Sequence, residues 1–128
     1  MTIQTMNAAS VFLLVEPSPI LHPRLQDWLE SVLMKPHIFT AENGLEALNL
    51  AAQEQPTHIL IEMDLPDISS LVVLKQIRQS LPTARIIATG WYDSRFFLNS
   101  VQSAGADGFI LKNRLYRELL PLWQVLPE

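Results

Sequence analysis

The sequence predicts an α/β domain built on a parallel five-stranded sheet with helices on both faces, and three observations predict it. Short apolar runs of strand length recur at residues 11–15, 59–61 and 84–89, each suited to a strand buried on both faces. Longer segments with apolar residues at helical spacing lie between them. Proline, glycine and Asx residues punctuate the alternation. Strand–helix alternation with short connections implies parallel pairing, and five strands in a chain of this size fit the doubly wound order 2-1-3-4-5.

Each element has its own signals. Val11-Phe12-Leu13-Leu14-Val15 is the first strand, closed by Glu16-Pro17-Ser18-Pro19. Leu21, Leu25, Trp28, Leu29, Val32 and Leu33 mark a helix that begins near Leu21 or His22, because Pro23 is tolerated only in a first turn. Pro36 closes it, and residues 37–41 form a second strand. Asn43-Gly44 leads into a segment rich in strong helix formers, which Gln55-Pro56 stops. The third strand, Ile59 onward, runs out into Glu62-Met63-Asp64-Leu65-Pro66. Ser69 or Ser70 is the expected N-cap of a third helix, with Leu71, Leu74, Ile77 and Leu81 on one face. Residues 84–89 are the fourth strand. Asp93 or Ser94 caps a fourth helix that carries Phe97, Val101 and Ala104. Gly105-Ala106 breaks it, residues 108–111 are the fifth strand, and a last helix is expected over residues 115–126.

Composition excludes several classes. The 128 residues are 48% hydrophobic and 17% charged, which is ordinary for a folded domain, so residues 11–128 are expected as a single domain behind a flexible segment, 1–10. The absence of cysteine excludes a disulfide framework, a thiolate metal site and a thiol nucleophile. A net charge of −4 argues against non-specific nucleic-acid binding. No apolar run approaches the ~20 residues that span a bilayer, and residues 1–10 do not read as a signal peptide. A cytoplasmic protein is the expectation.

In such a sheet, ligands collect outside the carboxyl ends of the strands, where this chain places Glu16, Glu62, Thr89 and Lys112. The first, third, fourth and fifth strands are neighbours in the doubly wound order, so these side chains are expected to converge. His37 and His58 begin strands at the opposite edge, and His22 begins a helix, which leaves no histidine for this site.

Several segments, in order and spacing, resemble a known family. They are Phe12-Leu13-Leu14-Val15-Glu16, Ala41-Glu42-Asn43-Gly44-Leu45-Glu46-Ala47-Leu48, Glu62 to Pro66, Ile86-Ile87-Ala88-Thr89-Gly90, and Gly105-Ala106-Asp107-Gly108-Phe109-Ile110-Leu111-Lys112. Together they resemble the receiver domain of two-component response regulators, the CheY-like superfamily with its flavodoxin-like fold, over nearly the whole chain. The resemblance implies that Glu62 holds the phosphoacceptor position, fixed by Pro66 four residues on. It also implies that Thr89 is the switch hydroxyl, Lys112 the site lysine and Phe109 the switch aromatic.

The departures set the functional expectation. The resemblance implies an acidic pair after the first strand that holds Mg²⁺, and an aspartate that accepts the phosphoryl group. Here the pair is Glu16 and Pro17, and the acceptor position is a glutamate. Mg²⁺ demands near-octahedral oxygen ligation and phosphoryl transfer leans on the metal for positioning and charge neutralisation. Mg²⁺ binding at Glu16 and Glu62 is therefore expected to be weak or lost, with no other cofactor and no enzymatic activity. The domain is read as an atypical or pseudo-receiver. Glu62, reaching outward by one methylene, would accept a hydrogen bond from Thr89 and pair with Lys112, either as a mimic of a phosphorylated aspartate or as part of an inert scaffold. Asp64 reads as a solvated loop carboxylate. The alternatives are a working phosphoacceptor that uses Glu62 or Asp64, and a small-ligand-binding doubly wound domain.

Output is expected through protein contact. Leu115, Leu119, Leu122 and Leu126 form a core stripe on the last helix, and Tyr116, Leu120 and Trp123 form a second stripe. With Trp91 and Tyr92 in the loop beside the pocket, this second stripe is the expected interface for a homodimer or a protein partner, a histidine kinase or another signalling protein among them. Pro121 is expected to break the helix near Leu120. Because the sequence stops after this helix, a stand-alone signalling protein without a nucleic-acid or membrane partner is the expectation.

Overall fold

Alternate residues of the central strands point to opposite faces, and each face has found its own helices. The computed structural model describes residues 4–5 and 10–126. In chain order the elements are β1 (Gln4–Thr5), β2 (Val11–Val15), α1 (Leu21–Val32), β3 (His37–Ala41), α2 (Gly44–Glu54) and β4 (His58–Glu62). There follow α3 (Ser70–Ser80), β5 (Arg85–Gly90), α4 (Arg95–Ala104), β6 (Gly108–Leu111), a 3₁₀ turn (Lys112–Arg114), α5 (Leu115–Trp123) and β7 (Val125–Leu126). The large sheet is parallel, in the order β3-β2-β4-β5-β6. Counted from Val11, that is the expected 2-1-3-4-5.

Leu13, Val15, Ile59, Ile61, Ile86 and Ala88 pack with α2, α3 and α4 on one face. Phe12, Leu14, Leu60, Ile87 and Ile110 pack with α1 and α5 on the other. The period-2 alternation of a strand buried on both sides thus splits the core into two layers.

Local chemistry sets the helix starts. Asn43 accepts a hydrogen bond from Glu46 N and donates one to the Glu46 carboxylate, a reciprocal cap of the α2 terminus. Asp67, from the loop after β4, accepts from Gly44 N and Leu45 N at 2.8 and 2.9 Å. These two bonds hold its carboxyl below the usual range and tie the loop beyond Glu62 to α2. Ser94 caps α4 through Phe97 N. Ser69 occupies the N-cap of α3, but its side chain makes no capping bond. Ahead of α1, Ser18 Oγ accepts from Ile20 N and Leu21 N.

The C-terminal end differs from its expectation. Helix α5 runs through Pro121 without breaking and stops at Trp123, because Gln124 turns left-handed at φ 63°. Pro121 lies on the exposed side of the helix, where water can serve the carbonyl that its missing N–H leaves free, while buried Leu119, Leu120 and Trp123 hold the other side in place. Val125–Leu126 then pairs in parallel with Gln4–Thr5, so this pair of the expected flexible segment 1–10 lies in a small second sheet. Most of that segment lies outside the described residues. No helix among the described residues is long and apolar enough to cross a membrane.

Candidate functional site

Four strand ends meet at one edge of the large sheet. Glu16 follows β2 directly and its N–H donates to Ala41 O of β3 at 2.9 Å, so the residue leaves the sheet still in register. Glu62 is the last residue of β4 and pairs with Thr89 of β5. Thr89 pairs in turn with Ile110 of β6, two residues before Lys112. All four side chains are buried.

The charged groups close on one another. Lys112 Nζ donates to Glu16 Oε1 at 2.6 Å and lies 3.0 Å from Glu62 Oε1. The second oxygen of each carboxylate is also engaged: Glu16 Oε2 accepts from Ser18 N at 2.9 Å, and Glu62 Oε2 accepts from Met63 N at 3.0 Å. Trp91 adds its ring, with Lys112 Nζ 5.5 Å from the centroid, within the range of a cation–π contact. The result is one ammonium between two carboxylates, all out of water, with every carboxylate oxygen taken.

Burial pushes the Glu62 carboxyl above its ordinary range, and the Glu16 charge adds to the push. The hydrogen bond and charge of Lys112 oppose it without cancelling it. Loss of solvation outweighs the partner here, as is common for buried ion pairs.

Thr89 does not take the partner expected of it. Its hydroxyl donates to Ile110 O at 2.8 Å, because the neighbouring strand offers a carbonyl at hydrogen-bonding distance while both Glu62 oxygens already have donors. Phe109 is half-buried and meets Phe97 edge to face at 5.6 Å. Pro17 is half-buried beside Glu16 and offers no side-chain oxygen. Asp64 is exposed, in the loop. Among the described residues, no group of three His, Asp or Glu side chains is placed to hold a metal ion. The two buried carboxylates point at an ammonium rather than at a shared open point, which does not fit the octahedral oxygen shell of Mg²⁺.

The histidines lie elsewhere. His58 starts β4 and stacks on Phe12 with ring centroids 5.0 Å apart, His37 is exposed, and His22 Nδ1 is 3.7 Å from Glu42.

The proposed interface stripe divides. Trp123 is 0% exposed, with its indole N–H donating to Ile59 O at 3.0 Å, and Leu120 is buried with it. Neither can meet a partner: the sheet and α1 cover both, which corrects the expectation for these two residues. Tyr116 is half exposed and packs edge-on against Trp28 of α1 at 5.1 Å. Trp91 and Tyr92 stay open to solvent, at 63% and 83%. The Asp67 link to α2 escaped the sequence reading, because it reaches a helix start more than twenty residues upstream and carries no local signal.

Comparison with known proteins bears on the family and the fold. A family model described as "Response regulator receiver domain" matches residues 12–122. The transcriptional regulatory protein MctR of Rhizobium johnstonii is 32% identical over 96 residues, which span 72% of this chain and 45% of that protein. The oxygen regulatory protein NreC of Staphylococcus carnosus is 33% identical over 82 residues, 63% of this chain and 38% of that one. The chain thus spans about half or less of the length of these curated relatives. Among solved structures, the Vibrio cholerae chemotaxis protein CheY4 superposes with a TM-score of 0.81 at 20% identity, over 90% of this chain and 96% of that one. A Burkholderia pseudomallei response regulator with a phosphorylated aspartic acid and a calcium ion gives 0.81 at 24% identity, over 89% and 66%. At these identities the likeness is one of fold.

Proposed function

The chain belongs to the response regulator receiver domain family, and from that premise we propose that it is a pseudo-receiver of a two-component pathway, signalling through protein contact without taking a phosphoryl group. The observation that carries this reading is the closed Glu16–Lys112–Glu62 triad. A receiver that works by phosphorylation needs an aspartate to attack and an open acidic pair to bind Mg²⁺, since metal and positioning supply most of the catalysis. Here the ammonium neutralises the carboxylates, Pro17 withdraws one metal ligand, and Mg²⁺ binding is weak or lost.

The geometry favours an inert switch over a phosphoryl mimic. A mimic would draw the Thr89 hydroxyl toward the acceptor position, whereas Thr89 is held by Ile110 O and Glu62 is held by Lys112 and Met63 N. Glu62 also brings one charge at most, against the ~1.5 to 2 of a phosphate. On this reading the domain keeps one conformation, and its surface is recognised as it stands by a histidine kinase, another signalling protein or a second copy. The name of one curated relative, a transcriptional regulatory protein of which the matched segment makes up 45%, favours a second reading of the output, in which the receiver steers transcription. Both outputs use the same closed pocket.

The test is intact-mass analysis after incubation with acetyl phosphate and Mg²⁺. The expected spectrum is that of the unmodified chain. A stoichiometric phosphoryl increment at Glu62 or Asp64 overturns the pseudo-receiver reading.

A further inference from the structure

Beside the triad lies a cavity of about 340 Å³, lined by Glu62, Met63, Asp64, Trp91, Tyr92 and Phe97 among others. That is the size of a small-molecule site. Its walls combine exposed aromatic rings and carboxylates. Trp91 and Tyr92 are largely open to solvent, Asp64 is exposed, and Glu62 is buried. No lysine or arginine lines the cavity.

Trp91 already attracts one cation: Lys112 Nζ sits over the ring, 5.5 Å from its centroid, within cation–π range.

We propose that this cavity binds an organic cation, an ammonium or guanidinium head on an apolar stem, held by the Trp91 and Tyr92 faces and by the Asp64 carboxylate. The aromatic faces attract a desolvated cation through their quadrupoles, the apolar walls of Met63 and Phe97 accept the stem, and Asp64 supplies the counter-charge that Lys112 has not used. An inorganic anion meets two carboxylates and neither lysine nor arginine in this lining. The source of the cation is either a free small molecule or a lysine or arginine side chain on a protein partner, and the two share this chemistry.

The inference rests on Glu62 being an unmodified carboxylate, which intact mass verifies on the same sample before titration. The probes are choline, its neutral isostere 3,3-dimethylbutan-1-ol, and N-acetyl-lysine amide, followed by NMR at the backbone amides of Met63 and Phe97, which remain in every variant. Saturable shifts with choline, at least several-fold weaker with the neutral isostere and weakened tenfold or more by Asp64→Asn and Trp91→Leu, support the proposal and a small-molecule source. Saturation by N-acetyl-lysine amide but not choline supports it with a partner side chain as the source. No saturable shift with either cation, or equal shifts with choline and the isostere, overturns it. Both substituted residues are exposed, so circular dichroism is expected to show folded variants. A phosphoryl increment in the prior mass spectrum would instead strike the pseudo-receiver reading, so the two failures are distinguishable.

Discussion

Lys112 and Glu16, 96 residues apart in sequence, meet at 2.6 Å with 4% and 3% of their side chains exposed. Their pairing joins the ends of β2 and β6, and Glu62, at 3.0 Å from the same ammonium, brings in β4. One cation therefore ties together three strands of the large sheet at the edge where a receiver does its chemistry.

Removing that cation leaves two buried carboxylates unpaired. Breaking one side of a buried pair typically costs about 3 to 5 kcal/mol, so Lys112→Met is expected to lose stability of that order in urea unfolding at pH 7. The loss is expected to shrink in acid. Burial already holds Glu62 above its ordinary value of 4.5, and both effects of Lys112 lower it, so without Lys112 it rises further. A carboxyl raised in the folded state costs stability when ionised, and that cost vanishes once the pH is below the unfolded value. A deficit as large at pH 4.5 as at pH 7 would show that packing, not charge, accounts for the effect.

A second titration runs the other way. His58 is buried between Phe12 and Trp123, its Nδ1 lies 2.8 Å from Thr57 Oγ1, and its Nε2 has no hydrogen-bond partner among the described residues. Burial first, and the Arg85 charge second, hold it down to about 4 from an ordinary 6.5. The neutral ring is favoured in the fold, so its contribution is complete above pH 6.5 and fades as the pH falls toward 4. The gap corresponds to roughly 3 kcal/mol. Urea unfolding of the parent and His58→Phe, compared at pH 7.5, 5.5 and 4.5, is expected to show the parent losing most of this amount relative to the variant. Parallel curves would exclude His58 as the group. Glu62 gains stability in acid in both proteins and cancels from the comparison.

Trp123 separates the core from the surface of the last helix. Trp123→Ala opens the α1–α5 layer and leaves Ile59 O without its donor, which is expected to cost about 3 to 5 kcal/mol. Trp91→Ala, on an exposed loop, is expected to stay within about 0.5 kcal/mol of the parent. Urea midpoints with unchanged slopes check both. A parent-like midpoint for Trp123→Ala would contradict its place in the core.

The contrast between these tryptophans shows where sequence reading reached its limit. Strand identity, order and the convergence of Glu16, Glu62, Thr89 and Lys112 were legible, because two-face burial and short connections leave few topologies. The second stripe of the last helix was misassigned in part because a helical wheel gives angles but no partners. Leu120 and Trp123 fall on a side that α1 and the sheet also cover, and only the packed layer shows it. The partner of Thr89 was illegible for a related reason. Sequence places a hydroxyl beside a carboxylate, but whether it turns to that carboxylate or to the Ile110 carbonyl depends on donors already spent by Met63 N and Lys112.

On the pseudo-receiver reading, phosphoryl transfer is recoverable at two positions. If Glu62 and Pro17 are what silence the site, then Glu62→Asp draws the carboxylate back by about 1.5 Å, one carbon–carbon bond, and loosens the Lys112 clamp. Pro17→Asp returns the oxygen ligand that Mg²⁺ needs to complete its shell. Neither change alone supplies both acceptor and metal, and transfer needs both. The double variant, incubated with acetyl phosphate, is expected to gain one phosphoryl increment by intact mass that disappears with EDTA, while the parent and each single variant stay unmodified. Glu62→Asn with Pro17→Asp is the control, expected to remain unmodified because it keeps the metal ligand and removes the nucleophile. A folded double variant that takes no phosphoryl group would place the block at Glu16, still held to Lys112 and Ser18 N, and would refute the claim that these two substitutions account for the silence.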